Sequence, residues 1–337
     1  MARPYGLLRA GFPYVKTLGM RRLTNFPVDI ALGAEGRMYI LCRQENAALI
    51  RKYTYDDEDK GSIGSNGEDE GQFQWPVSII ADADENLFVS DEALHMITSF
   101  DREGEVLGSW GEHGSGDGQL DRPSGMAFDL EGKILIVDTM NHRVQRFSKD
   151  GKFLGKWGGH GAGDGELDMP WGITVDELGD VYVADWKNDR VQKFSGDGEF
   201  IFAFGGPGSG DGQMNRPTDV AVDLDGDIYV ADWGNNRVQL FNSEPRFVQK
   251  FLGEATLSMV GRDYMMTNAS PNRIRDMSNL EPQKLLRRPK AVVVDADGLM
   301  YVADSDSYRV QVYQKEAIAL EPSQMAPPMR SPTLHQE

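Results

Sequence analysis

The feature that most restricts the fold of this chain is a repeat of 47 residues. Aligned on one proline, six copies follow one another along the 337 residues, at spacings of 49, 47, 47, 47 and 72. In copies two to six an aspartate comes six residues after the proline and a second one fifteen residues after it. So constant a phase predicts that the chain builds one unit six times over. The repeat prolines are Pro27, Pro76, Pro123, Pro170, Pro217 and Pro289.

The copy that starts at Pro170 shows what one unit contains. Residues 173–175 and 181–184 are rich in β-branched and aromatic side chains and flank a turn of Asp and Gly, which predicts a hairpin. Residues 191–194 alternate polar and apolar side chains, and residues 200–204 are rich in Phe, which predicts two further short strands. Four antiparallel strands in each of six repeats are typical of a six-bladed β-propeller, an all-β fold.

The ring of blades also has to close. The last copy has only a weak candidate for a fourth strand, in residues 315–320, whereas residues 14–19 resemble the fourth strands of the other copies. We therefore expect the N-terminal segment to dock as the outer strand of the last blade, which removes an exposed sheet edge. The predicted organisation is an N-terminal extension over 1–13, a single propeller over 14–319 with an insertion at about 254–288, and a disordered Pro-rich tail over 320–337.

The later copies resemble the NHL repeat. The likeness is carried by the phrases RPTDVAVDLDGDIYVADWGNNRVQLF and MPWGITVDELGDVYVADWKNDRVQKF, and it extends over about residues 14–314. It is specific in copies three to six and looser in the first two, where Cys42 replaces the second aspartate of copy one. The resemblance implies a six-bladed propeller, and by elimination among the functions of the relatives we expect a stand-alone module that binds a protein or a small-molecule ligand.

Residues that recur in nearly every blade are interpreted as architectural. The loops of the form Asp-x-x-Asn-x-Arg, such as that from Asp232 to Arg237, predict an ion pair that fixes the loop. The Gly-rich connections run into a proline and a strand instead of opening a helix, so they do not match a phosphate-binding loop. The Asp-rich turns lack EF-hand spacing and are interpreted as hairpin turns. Function is therefore sought in the residues that differ between blades.

Several of these differences fall on the face that carries the loops between second and third strands and the connections between blades, here called the top face. Three tryptophans there predict either an aromatic binding patch or packing between loops. Two acids at the mouth of the central channel predict a solvated rim, with a metal site as the alternative. The candidate binding residues of these loops and this mouth are Trp171, Trp186, Trp233, Asp29, Asp219, His95, His142 and Lys187.

The insertion before the last copy adds about 25 residues to the connection between blades five and six, as the spacing of 72 against 47 shows. Residues 262–290 contain seven Lys or Arg and three acids, a local charge of +4 on a chain whose net charge is −18. One hypothesis is a lid over the acidic channel mouth, with Arg262, Arg273 and Arg275 as candidate contacts. A solvated loop without that role is the alternative.

Charge and composition restrict the partners. With 35 basic and 53 acidic residues, the chain is not expected to bind nucleic acid or an anionic membrane. One cysteine excludes an intrachain disulfide framework and a cysteine-based zinc module. No stretch approaches the ~20 apolar residues of a membrane span, and the N-terminus does not match a signal peptide. We expect a monomer in the cytoplasm.

Catalysis is the alternative to binding. Residues 90–95, SDEALH, resemble a blade loop of the peptide-amidating lyases, which bind catalytic zinc through histidines placed directly after the repeat proline. None of those positions here is a histidine, so no zinc cofactor is expected and no catalytic residue is assigned. The alternative is a lyase or lactone-type hydrolase at the channel mouth, under the insertion, with or without Ca²⁺ or another divalent ion at Asp29 and Asp219. The residues after the prolines are Val28, Val77, Ser124, Trp171, Thr218 and Lys290.

Overall fold

The structure is a computed structural model, and it describes residues 7–21, 23–44, 47–267 and 279–319. Within these ranges the chain forms six four-stranded antiparallel sheets whose first strands contact one another around a closed ring. This is the six-bladed propeller that the repeat predicts. The chain enters through β1 (Leu7–Gly11) and β2 (Tyr14–Leu18), before the first complete sheet.

Blades one to three follow in chain order, each as a simple meander from the channel outward. Blade one is longer than the others at its second and third strands, where the sequence carries two extra residues. A short parallel pair, β7 and β8, leads from blade one to blade two. The strands are β3 (Pro27–Leu32), β4 (Arg37–Gln44), β5 (Ala47–Thr54), β6 (Asp59–Ile63), β7 (Ser65–Asn66), β8 (Gln72–Phe73), β9 (Pro76–Ala81), β10 (Leu87–Asp91), β11 (Met96–Phe100), β12 (Val106–Trp110), β13 (Pro123–Phe128), β14 (Ile134–Asp138), β15 (Arg143–Phe147) and β16 (Phe153–Trp157).

Blades four to six continue the same pattern. In blade six the chain supplies three strands from its C-terminal part, and the fourth comes from the N-terminus. The strands are β17 (Ile173–Val175), β18 (Val181–Asp185), β19 (Arg190–Phe194), β20 (Phe200–Gly205), β21 (Pro217–Val222), β22 (Ile228–Asp232), β23 (Arg237–Phe241), β24 (Phe247–Phe251), β25 (Pro289–Val294), β26 (Leu299–Asp304), β27 (Arg309–Gln314) and β28 (Glu316–Ala319).

The N-terminal strand closes the ring as expected. β2 pairs antiparallel with β27, with Leu18 opposite Val310 and Tyr14 opposite Tyr313. The residues after β27 do not add a strand to blade six. Instead, β28 pairs with β1, so that both ends of the propeller lie in one small two-stranded sheet. Closure joins the two ends of the chain and covers the edge of β27.

The core lies between neighbouring blades. Between blades six and one, Leu18, Ile30 and Val310 are almost completely buried and pack in one cluster. Similar clusters fill the gaps between the other blades. Burying an aliphatic side chain of this kind stabilises the fold by about 1.5 to 3 kcal/mol. Each gap therefore joins two blades that are stable only side by side.

The recurring aspartate and arginine are architectural, as predicted. In blade five, Asp232 is completely buried and accepts hydrogen bonds from Arg237 Nε at 2.7 Å and from the Asn215 backbone N–H at 2.8 Å. Arg237 in turn donates to the carbonyls of Gly210 and Gln213 in the Gly-rich connection. The ion pair thus holds one connection between blades, and the same arrangement recurs in blades three and four.

The insertion before blade six begins on the outside of the ring. Its helix α1 (Met259–Met266) is capped by Ser258, whose Oγ accepts from the Gly261 N–H at 3.0 Å. The N–H of Val260 donates to Asp57 Oδ2, and α1 contacts β2 in the outer edge of blade six. A short helix, α2 (Glu281–Lys284), ends the insertion. No helix of the described residues is long and apolar enough to cross a membrane.

Candidate functional site

The first strands of the six blades line a central channel. A cavity of about 290 Å³ lies between them. Its wall is mostly apolar and includes Ile79, Ile173 and Val292. Among the described residues, Asp29 and Asp219 are the two charged side chains that line it. The structure therefore places both predicted acids inside the channel, half-buried among mostly apolar side chains.

Each of these carboxyls connects two neighbouring blades through a hydrogen bond. Asp29 Oδ2 accepts from the N–H of Ile79 in blade two at 2.8 Å, and Asp219 Oδ2 accepts from the N–H of Val292 in blade six at 2.9 Å. Burial raises the pKa of Asp29. Burial, together with repulsion from Asp29, raises the pKa of Asp219. With these oxygens bound to backbone N–H groups, the pair has an architectural role that the sequence does not reveal.

Two glycines let the first strands of blades three, four and five approach closely. A Cβ on Gly125 would lie 2.5 Å from the Trp171 carbonyl oxygen, to which the Gly125 N–H donates a hydrogen bond of 2.8 Å. A Cβ on Gly172 would lie 2.6 Å from the Thr218 carbonyl oxygen. These close contacts position Trp171 at the top end of the channel.

The channel narrows at that end. Just above the two aspartates the free space measures about 20 Å³, which is close to the room that one water molecule needs. Trp171 and Lys290, the residues directly after their repeat prolines, line this constriction. A molecule that arrives at the top face therefore meets these two side chains first.

The three predicted tryptophans lie together around Lys290. The rings of Trp171 and Trp186 are 6.3 Å apart between centroids, and the planes differ by 36°. Lys290 Nζ lies 5.3 Å from the ring centroids of both Trp171 and Trp233. We call Trp171, Trp186, Trp233 and Lys290 the aromatic mouth. All four side chains are half-buried, so each keeps a surface that a ligand can reach.

Arginines stack on tryptophans of the top face in the same way. A guanidinium over an indole ring is attracted by the negative face of the ring. Two of these arginines also have acidic neighbours, since Arg288 lies 3.5 Å from Asp306 and the charge of Glu92 acts on Arg43. The pairs and their distances to the ring centroid are Arg43 over Trp75 at 4.4 Å, Arg216 over Trp186 at 4.7 Å and Arg288 over Trp233 at 5.2 Å.

Lys290 is half-buried and Arg43 is buried, and neither has a carboxylate within ion-pair distance in the described part of the chain. Burial, with repulsion from Arg43, lowers the pKa of Lys290 to about 8. Burial lowers the pKa of Arg43 to about 10. Glu92 acts on both through its charge, and burial raises its own pKa. The indole N–H of Trp233 is buried and also has no hydrogen-bond partner. The mouth thus offers donors and positive charge that the protein itself leaves unused.

His95 and His142 belong to two further groups at the top face. His95 lies beside His113, with ring centroids 4.1 Å apart, and each has a ring nitrogen 3.6 Å from Asp121 Oδ1. We call these three residues the first histidine cluster. Burial, with the neighbouring His113, lowers the pKa of His95. The three donor atoms all lie within 4.8 Å of one another.

The second histidine cluster repeats this arrangement one blade further on. It consists of His142, His160 and Asp168, with the two rings 4.3 Å apart. Asp168 Oδ1 lies 3.4 Å from His142 Nδ1 and 3.6 Å from His160 Nε2. Lys187, a predicted binding residue, is exposed and forms an ion pair of 3.2 Å with the other oxygen of Asp168.

The predicted contacts of the insertion do not join the mouth in the described residues. Arg262 is exposed on α1, which lies at the outer edge of blade six. Among the described residues none from the insertion lines the channel or its constriction. Arg273 and Arg275 lie outside the described residues. At the C-terminal end of the insertion Arg288 lies over Trp233, so the insertion reaches the aromatic mouth there without lining the channel.

Sequence reasoning missed most of the charged partners. Lys290 could have been found because it is the basic residue directly after a repeat proline. His113 and Asp121 could have been found by position, since His160 and Asp168 follow them by the same 47 residues that separate His95 from His142. Arg43 carries no such signal, because it sits where the first copy departs from the repeat.

Comparison with known proteins agrees with this geometry. The NHL repeat family matches residues 120–147, 167–194, 214–241 and 286–313. No match is found among curated protein sequences. Three similar solved structures are a streptogramin B lyase (10% identity, 94% of this chain and 100% of that chain, TM-score 0.57), the virginiamycin B lyase of Staphylococcus aureus (12%, 91% and 100%, 0.59) and a Bacteroides thetaiotaomicron protein of unknown function (15%, 92% and 76%, 0.61).

At such low identity these structures show a shared fold and nothing more. The four matched segments coincide with the first three strands of blades three, four, five and six. The remaining two blades follow the same four-stranded plan. The chain is an NHL-repeat six-bladed β-propeller.

Proposed function

We propose that this propeller is a binding module whose ligand contacts the aromatic mouth on the top face. The observation that carries the proposal is the pair Lys290 and Arg43, a half-buried and a buried cation without a carboxylate within ion-pair distance among the described residues. A buried charge without a partner is costly. An anionic ligand group placed between them would remove their mutual repulsion.

The chemistry of the mouth favours a carboxylate on an extended protein segment or on a small molecule. The indole rings of Trp171 and Trp186 offer apolar faces beside the cations. Half-buried tryptophans next to arginines are typical of the central contacts in protein interfaces. The unused indole N–H of Trp233 adds a hydrogen-bond donor. The net charge of −18 disfavours nucleic acid as the ligand.

Binding to labelled peptides tests this proposal. The probes are short glutamate-rich peptides that contain one phenylalanine, with lysine-rich peptides of the same length and a single-stranded RNA as comparisons. We expect the acidic peptides alone to bind, and the variants Trp171→Ala and Lys290→Met to weaken binding about tenfold or more. Lys250→Met is the control, because Lys250 is exposed on the outer strand of blade five.

Equal binding by the two mouth variants and the wild-type protein would contradict the proposal. Absence of any preference for acidic over lysine-rich peptides would do so too. Stronger binding of the RNA would replace the carboxylate with a phosphate backbone and a stacked base as the ligand.

A second candidate is catalysis inside the channel. It is favoured by the raised pKa values of Asp29 and Asp219 in the 290 Å³ cavity, since perturbed carboxyls concentrate at active sites. We favour binding because both carboxyls accept backbone hydrogen bonds from neighbouring blades. A small molecule whose binding depends on Asp29 and Asp219, and not on Trp171, would support the second candidate.

A further inference from the structure

The two histidine clusters together contain four of the five histidines of the chain. They lie at the top face, one beside the connection from blade two to blade three and the other beside the next connection. Neither takes part in the aromatic mouth. From the geometry we propose that each cluster is a site for one divalent transition-metal ion, with Zn²⁺ as the ion that fits its two imidazoles and one carboxylate.

The donor atoms have the spacing that such an ion requires. Ligands held about 2.0 to 2.2 Å from a tetrahedral zinc ion are about 3.4 Å apart. In the second cluster Asp168 Oδ1 is 3.4 Å from His142 Nδ1 and 3.6 Å from His160 Nε2. In the first cluster both nitrogen-to-oxygen distances are 3.6 Å. Three protein ligands leave one position for water, as in zinc sites that exchange a ligand.

One carboxylate oxygen of the second histidine cluster is left without a hydrogen bond. Asp168 Oδ1 is buried and has no hydrogen-bond partner, a condition that is rare for a carboxylate oxygen inside a protein. A bound cation would give this oxygen a partner.

The architecture of the propeller does not explain the histidines. His95 Nδ1 accepts a hydrogen bond of 3.1 Å from the Arg122 N–H, and His142 accepts one of the same length from Met169. At the equivalent place in blade four, the oxygen of Asp189 accepts the same bond at 2.7 Å. The fold therefore needs an acceptor at this position and no imidazole. A metal ion would displace one long hydrogen bond.

The third connection provides a natural comparison. There Pro207 replaces the exposed histidine and Asn215 replaces the aspartate, 47 residues after His160 and Asp168. The connection keeps its form, since the Asn215 N–H bonds to Asp232 as the Asp168 N–H bonds to Asp185. Removing the ligands one at a time should therefore leave the fold intact.

The two sites should differ in affinity. Lys187 lies 3.2 Å from Asp168 Oδ2, and its positive charge opposes a cation in the second cluster. The corresponding residue of the first cluster is Met140, 47 residues earlier. We expect Zn²⁺ to bind the first cluster more tightly, and Lys187→Met to bring the second site closer to the first.

Calorimetric titration of the full chain with Zn²⁺ alone tests the proposal, and the visible spectrum of the Co²⁺ form reports the ligand geometry. We expect two equivalents in the wild-type protein and one in His113→Gln, His160→Gln, Asp121→Asn or Asp168→Asn. The double variant His113→Gln/His160→Gln should lose both, with affinity reduced about tenfold or more at each altered site. Circular dichroism confirms that each variant is folded.

His335→Gln is the control, because this histidine belongs to neither cluster. Two equivalents that persist in the double variant would overturn the proposal. So would the absence of saturable Zn²⁺ binding, or binding that only His335→Gln removes.

Discussion

Asp29 and Asp219 have two opposite effects on the stability of the ring. Each carboxyl accepts a hydrogen bond from a backbone N–H of the next blade, which joins the two blades. At the same time the two carboxyls repel one another in a largely apolar cavity. Ser78, at the same place in blade two, holds the Met126 N–H with a neutral hydroxyl at 3.3 Å. The fold therefore tolerates serine where it carries an aspartate.

The first prediction is that Asp219→Ser changes the pH dependence of stability. A carboxyl whose pKa is raised by folding binds more protons in the native state, so its contribution falls as pH rises above about 4. Removing one member of the pair removes its burial cost and the repulsion. We therefore expect the variant to gain stability relative to wild type as the pH rises from about 4 to about 7.5. Thermal unfolding at both pH values measures this.

Thr139→Val provides the control for the first prediction. It removes a buried neutral hydroxyl, which hydrogen-bonds to Ser124 and Pro170, so its effect on the melting temperature should be the same at the two pH values. If Asp219→Ser shows an equally constant effect, the pair does not carry the pH dependence assigned to it.

At the scale of secondary-structure elements, one buried lysine links blade six to blade five. Lys315 follows β27 and reaches the first turn of blade five, where it lies 2.6, 2.7 and 3.0 Å from Asp223, Asp225 and Asp227. Burial alone would lower the pKa of Lys315, but these three carboxylates raise it overall. Its stabilising effect is therefore complete below its ordinary pKa and persists at neutral pH.

The second prediction is that Lys315→Met destabilises the protein by about 3 to 5 kcal/mol at neutral pH. The substitution leaves three carboxylates facing each other without a cation. Chemical denaturation at neutral pH measures the loss.

Lys250→Met is the matched control for the Lys315 contact. Lys250 and Asp211 are also 2.7 Å apart, but both are exposed to solvent. Such a pair contributes less than about 1 kcal/mol. Equal losses in the two variants would show that burial does not set the strength of the Lys315 contact.

For the whole molecule, the ring was predictable from the sequence because a propeller repeats one local pattern. The strands of each blade, the closing strand and the Asp232 and Arg237 pair all follow from features that recur at a fixed spacing. The site was predictable only in part. The three tryptophans stand out as departures from the repeat. The role of Asp29, in contrast, comes from a hydrogen bond with a backbone N–H of the next blade, and no local sequence pattern contains that contact.

The third prediction concerns the cooperativity of the ring. Leu18 is completely buried in the seam between blades six and one, whereas Val15 on the same strand is 39% exposed. All six tryptophans lie in blades two to five or in the connections that enter them. Tryptophan fluorescence therefore reports blades that Leu18 does not touch, and circular dichroism reports all six.

If the closed ring unfolds as one unit, Leu18→Ala should lower the melting temperature equally by both signals, with a loss of about 2 to 5 kcal/mol. Val15→Ala should change little, because its side chain is partly solvated already. Separate transitions, with the fluorescence signal unmoved, would instead mean that blade six can open while the aromatic mouth stays folded. Lys290 belongs to blade six and Trp171 to blade four. In that outcome Lys290 would therefore move away from Trp171 when blade six opens, and peptide binding would be lost before the tryptophan signal changes.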